Sequence, residues 1–114
     1  MVCNRDTAMR IFEESRLACD AAFPKPVQQA YLYGSYARGD YHAESDIDIL
    51  LTVDEDGSLY EYRRAAAKIC SELSLKYDVM VSVTVKPDTQ FRQYADVLPF
   101  YCNVREEGIR CAAG

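Results

Sequence analysis

The chain has 114 residues, 49% of them hydrophobic and 27% charged, with a formal net charge of −5. That suffices for a single globular domain spanning 1–114 with a modest core, and no linker, repeat or low-complexity run divides it. The acidic balance disfavours broad nucleic-acid binding, and no apolar run is long enough to span a membrane.

The first predicted element is a helix. Ala8, Ile11, Phe12, Ala18, Cys19 and Ala22 form a stripe at helical spacing that ends before Pro24 and Pro26. Val27 to Tyr33 then reads as a strand that runs into Gly34-Ser35, and Tyr36-Ala37-Arg38 begins a short helical turn. In Ser45 to Val53 the apolar residues Ile47, Ile49, Leu51 and Val53 alternate with another set, the period of a half-buried strand. Ser58-Leu59-Tyr60-Glu61 has the capping-box pattern of a helix start, and Leu59, Tyr62, Ala66, Ile69 and Leu73 form the apolar face that follows. Tyr77 to Val85 alternates again, with Asp78, Met80, Ser82 and Thr84 on one face. Pro87-Asp88 opens a short helix to about Asp96, and Pro99 opens another that Gly108 stops.

About thirteen residues join the first two strands, which suits antiparallel neighbours, whereas the helix at Leu59 to Leu73 crosses over before the third. The expectation is an α/β (α+β) fold: a small mixed sheet, helices mainly on one face, and the face bearing Asp46 and Asp48 open to a cleft.

The chemistry concentrates between Gly34 and Val53. Asp46 and Asp48 share one strand face, and same-face side chains stand roughly 6.5–7 Å apart, so their carboxylates can converge on metal ions about 3.5–4 Å from each other. Two acids this close repel, and a hard divalent cation such as magnesium keeps both charged. Upstream, Gly34 lets the backbone approach a phosphate, Ser35 adds a hydroxyl, and Arg38 either adds a fixed charge or braces the loop by ion pairing. The motif is not a Walker A loop. Either half alone reads as an ordinary turn or solvated acids; together they point to phosphoryl or nucleotidyl transfer. Residues 40–61 hold eight acids and no Lys or Arg, which leaves +3 for the rest of the chain and suits cation entry with nucleotide.

GSYARG followed by SDIDILL resembles the signature of the DNA polymerase beta-like nucleotidyltransferases. From about Val27 to Ile109 the chain is similar to the minimal nucleotidyltransferase domains often encoded beside HEPN-domain proteins, and LPFYCNVREEGI looks like their closing helix. The resemblance implies ATP bound at Gly34 and Ser35, two Mg2+ ions held by Asp46 and Asp48, and a third carboxylate on a neighbouring strand. Asp78 is the only acid that Tyr77 to Val85 offers for that metal-binding and catalytic role. The implied reaction is attack of an acceptor hydroxyl on the α-phosphorus of ATP with loss of pyrophosphate.

Little of the chain remains for an acceptor domain, so the acceptor is expected on a partner protein, by family analogy a HEPN-type toxin for which this chain is the antitoxin. Homo- and hetero-oligomers both fit. Two alternatives stay open: a non-catalytic protein of this fold that neutralises a partner by binding, and a transferase acting on a small molecule such as an aminoglycoside.

Other residues carry smaller expectations. His42, the only histidine, lies between the two motifs, and Tyr36 and Tyr41 flank the phosphate turn as candidates for base stacking or acceptor contact. Asp54, Glu55 and Asp56 read as a solvated loop before Gly57. Cys3, Cys19, Cys70, Cys102 and Cys111 are odd in number and lack a Cys-x-x-Cys pair, which disfavours a disulfide framework or zinc site. Cys19 and Cys70 fall on helix core faces, and Cys3 and Cys111 read as exposed thiols. With no apolar signal core near the N-terminus, a reducing cytoplasm fits best.

Overall fold

A computed structural model describes residues 4–54 and 59–110. Helix α1 (Arg5–Ala22) is capped by the Asn4 side chain, which accepts from the Thr7 N–H at 2.8 Å. It is followed by β1 (Gln29–Tyr33), α2 (Ser35–Arg38), β2 (Ile47–Val53), α3 (Leu59–Tyr77), β3 (Val81–Pro87), α4 (Asp88–Tyr94), α5 (Pro99–Glu107) and β4 (Ile109–Arg110). Ser58, of the expected capping box, lies outside the described residues, as do Glu55, Asp56, Cys3 and Cys111. Among the described residues no helix is long and apolar enough to cross a membrane.

The sheet order is β3-β2-β1-β4. β1 pairs antiparallel with β2, and β2 pairs parallel with β3 across the α3 crossover, so the sheet is mixed as expected. Strand β2 is central, and Ile47, Ile49, Leu50, Leu51 and Val53 are fully buried. Such a strand reads as a near-continuous apolar run, which explains why Leu50 interrupts the alternation.

α1 and α3 cover one face through Ile11, Phe12, Cys19, Tyr62, Ala66 and Leu73, packed on Leu32, Ile49, Leu51 and Val85. Here the structure departs from the expected open cleft. The opposite face is open only at one end, because Phe91 of α4 and Tyr101 and Val104 of α5 pack on Tyr31 and Leu50. Leu50 points to the same face as Asp48, two residues earlier, so one side of β2 passes from a carboxylate to core within a single same-face step.

A second departure concerns the end of α3, which runs to Tyr77, four residues past Leu73. Asp78 adopts a left-handed conformation (φ 53°), and the Val79 N–H donates to the Ser74 carbonyl at 3.3 Å. This six-to-one bond is the Schellman closure, with Asp78 in the place glycine usually takes; a short polar side chain tolerates that backbone. The third strand therefore starts at Val81 rather than Tyr77, although the phase of its alternation is kept: Val81 and Val85 are buried and Ser82 is exposed. Strand β4, two residues pairing with Tyr31 and Leu32 of β1, was not expected from the sequence.

Candidate active site

Antiparallel pairing of β1 with β2 sets the end of one strand beside the start of the other, and Tyr33 lies directly opposite Asp48. The glycine turn after β1 and the acids at the start of β2 therefore meet, although fourteen positions separate Gly34 from Asp48. Contact is close: a Cβ added at Gly34 would stand 2.5 Å from Asp48 Oδ2. Gly34 has φ 80° and ψ −156°, a region that is essentially glycine-only. Both its backbone and its lack of a side chain are thus required where it sits.

Past Gly34 the chain turns into α2, with the Arg38 N–H donating to the Gly34 carbonyl at 3.1 Å and Gly39 closing the turn in a left-handed conformation. The Arg38 guanidinium donates to Asp40 Oδ2 at 3.3 Å and lies 3.9 Å from Glu107 Oε2 on α5. Both pairs are half exposed, and pairs of this kind contribute little, so an incoming anion can replace them.

Asp46 is exposed and Asp48 half-buried. Burial pushes the Asp48 carboxyl above its usual range, the Asp46 charge adds to that rise, and Arg38 opposes it. The electrostatics match two acids held near one another and short of a counter-charge. Tyr33, whose phenol bonds Thr84, is likewise raised, first by burial and also by Asp48.

Asp78 is not brought into this arrangement. Among the described residues no group of three or more His, Cys, Asp or Glu side chains could hold a metal ion together. The β3 residue opposite Asp48 is Ser82. Paired strands lie about 4.8 Å apart, so position 82 is where a strand-borne third carboxylate would stand, and it carries a hydroxyl. The two remaining carboxylates still fit magnesium, which takes one or two protein carboxylates and completes its shell with water and substrate phosphates.

A cavity of about 360 Å³ opens at this end of the sheet, lined by Tyr33, Gly34, Ser35, Arg38 and Asp48 on one side and Phe100, Asn103, Val104 and Glu107 of α5 on the other. The α5 residues were missed in the sequence because the closing helix carries no chemical motif; only their i, i+3, i+4, i+7 spacing marks a shared face. Two other expectations change. Tyr36 is fully buried and stacks on Tyr41, with centroids 4.5 Å apart and planes at 13°, so it is a core residue. His42 belongs to a local turn in which its Nδ1 accepts from the Glu44 N–H and its carbonyl from the Ser45 N–H.

Another acid, Asp88, is 8% exposed at the start of α4. It accepts from Gln29 Nε2 at 2.9 Å, Thr52 Oγ1 at 2.8 Å and Arg92 Nε at 2.6 Å. Thr52 is four residues along β2 from Asp48, roughly 13 Å at strand rise, so this network locks α4 to the far end of the sheet.

Comparison with known proteins agrees with the geometry. A family model described as "Nucleotidyltransferase domain" matches residues 13–109. Two proteins of Methanocaldococcus jannaschii, each named "putative protein adenylyltransferase", are similar in sequence. One is 34% identical over 93 residues, covering 82% of this chain and 93% of the relative; the other is 40% identical over 82 residues, covering 72% and 75%. In fold the chain resembles a structure from Sulfolobus solfataricus titled "Crystal structure of a putative nucleotidyltransferase" (TM-score 0.62, 18% identity, 93% of this chain and 80% of that one). It also resembles a structure titled "Crystal structure of the toxin-antitoxin with AMP-PNP" (TM-score 0.56, 22% identity, 95% and 72%). With a glycine turn against a paired-carboxylate strand and a family match over nearly its whole length, the chain belongs to the nucleotidyltransferase domain family.

Proposed function

We propose that this protein transfers AMP from ATP to a hydroxyl on a partner protein, as the antitoxin half of a toxin–antitoxin pair with a HEPN-type partner. The observation that carries the reading is the contact of Gly34 with Asp48, which brings the glycine turn and one of the two strand acids to the same cavity. Ser35 and the backbone at Gly34 hold the β- and γ-phosphates, and Arg38 exchanges its carboxylate partners for phosphate oxygens. Asp46 and Asp48 hold the metal, with two Mg2+ ions in the full arrangement. When bound, magnesium would neutralise phosphate charge and polarise the attacked phosphorus. The acceptor oxygen bonds to the α-phosphorus as pyrophosphate leaves, and its proton passes to water at the open end of the cavity, since Asp78, the acid expected to take it, caps α3. The names of the M. jannaschii relatives support protein as the acceptor, and the toxin–antitoxin structure supports the partnership.

The missing third carboxylate favours one second reading, neutralisation by binding alone. Incubating the protein with labelled ATP, Mg2+ and candidate partner toxins separates the two. Label should enter the partner with the wild-type chain and be lost with Asp48→Asn. Equal labelling by both would discard the transfer mechanism, and neutralisation of the toxin by Asp48→Asn without labelling would favour the binding reading.

A further inference from the structure

Resting on the nucleotide-transfer reading, we infer that α5 forms the nucleoside end of the cavity, with Phe100 stacking on the base and Asn103 selecting adenine. The charged features of the cavity, Asp48, Arg38 and the Gly34-Ser35 turn, lie on the β1–α2–β2 side. A triphosphate drawn there leaves its nucleoside facing the other wall, which is the Phe100, Asn103, Val104 and Glu107 face of α5.

Val104 is buried and anchors that face to the second core. Phe100 is 42% exposed where it lines the cavity. Its ring is oriented by Tyr33, with centroids 5.5 Å apart at 86°, and by Tyr101, 5.6 Å apart at 54°. The unburied part of a ring held this way is a preformed stacking surface. Tyr36 and Tyr41 do not compete for the role, since Tyr36 is fully buried and stacked on Tyr41 and neither lines the cavity.

One helical step from Phe100, Asn103 is exposed and lines the same cavity. Its amide presents one donor edge and one acceptor edge. Adenine complements it, with the N6 amino group donating and N7 accepting, whereas guanine O6 and N7 are both acceptors and suit Arg or Lys. The remaining charged group on this wall, Glu107, is released when Arg38 turns to the phosphates and repels them, which keeps the triphosphate on the opposite side.

Calorimetric titration of the full chain with the Mg2+ complexes of AMP-PNP, GMP-PNP and inorganic tripolyphosphate tests this. Asn103→Ala should weaken AMP-PNP binding about tenfold while leaving GMP-PNP and tripolyphosphate unchanged. Phe100→Ala should weaken both nucleotides about tenfold and spare tripolyphosphate, with Phe100→Leu intermediate. If the wild-type chain binds AMP-PNP and both alanine variants match it, the inference is overturned while the transfer reading stands. Equal losses for tripolyphosphate overturn it as well, because they indicate a collapsed cavity. A wild-type chain that binds none of the three overturns both readings.

Discussion

Gly34→Ala tests the coupling between the two motifs directly. The φ/ψ values at Gly34 lie where a non-glycine residue costs about 1–3 kcal/mol. The new Cβ would meet Asp48 Oδ2 at 2.5 Å and Cγ at 3.4 Å, so the carboxylate must swing away, at about 0.5–1.5 kcal/mol for an off-rotamer side chain. Together these destabilise by about 1.5–4.5 kcal/mol, or about 6–18 °C in Tm at roughly 4 °C per kcal/mol. Gly39→Ala is the matched control. Its φ of 91° is also left-handed, but a Cβ there meets nothing within 4 Å, so only the backbone cost of about 1–2 kcal/mol applies. Thermal unfolding followed by circular dichroism measures both, and adding Asp48→Ala to Gly34→Ala should recover the part due to the clash. Mg2+ binding should fall in Gly34→Ala and persist in Gly39→Ala. Equal Tm losses for the two glycine variants, with no recovery in the double variant and wild-type Mg2+ affinity in Gly34→Ala, would refute the argument.

Asp78→Asn places a residue that favours the left-handed backbone at the end of α3, so stability should hold, and AMP transfer should persist if the Asp46–Asp48 pair carries the metal without a third acid. Ser82→Asp puts a carboxylate opposite Asp48 and should tighten Mg2+ roughly tenfold in a calorimetric titration; no change would mean that position 82 does not face the pair. Asp88→Ala leaves Gln29, Thr52 and Arg92 without their shared acceptor and should cost roughly 2–3 kcal/mol in urea unfolding. Burial alone would raise the Asp88 carboxyl, but bonds from Gln29, Thr52 and Arg92 outweigh it and hold it below its ordinary value. Its stabilising contribution is therefore complete above about pH 4 and lost as pH falls through the depressed value. The gap between wild type and Asp88→Ala should accordingly narrow in acid; a constant gap from pH 7 to pH 2 would contradict that assignment.

Local pattern alone carried much of this protein. The stripes Ala8 to Cys19 and Leu59 to Leu73, the alternation through Ile47 and Ile49, and the order of Gly34-Ser35 before Asp46 and Asp48 are short-range features, because side-chain period and turn chemistry are set within a few residues. Even the antiparallel pairing of β1 and β2 followed from the short connection. Tertiary structure decided what depends on partners distant in the chain. Tyr77 to Met80 alternates like a strand, yet α3 consumes its start and Asp78 ends as a helix cap rather than beside Asp48. Tyr36 is buried against Tyr41, and α5 folds back over the sheet to bring Phe100 and Asn103 to the cavity. Which residue stands across from Asp48 depends on strand register, and register is fixed by burying the β2 and β3 apolar sets together, a long-range condition that no local window of residues contains.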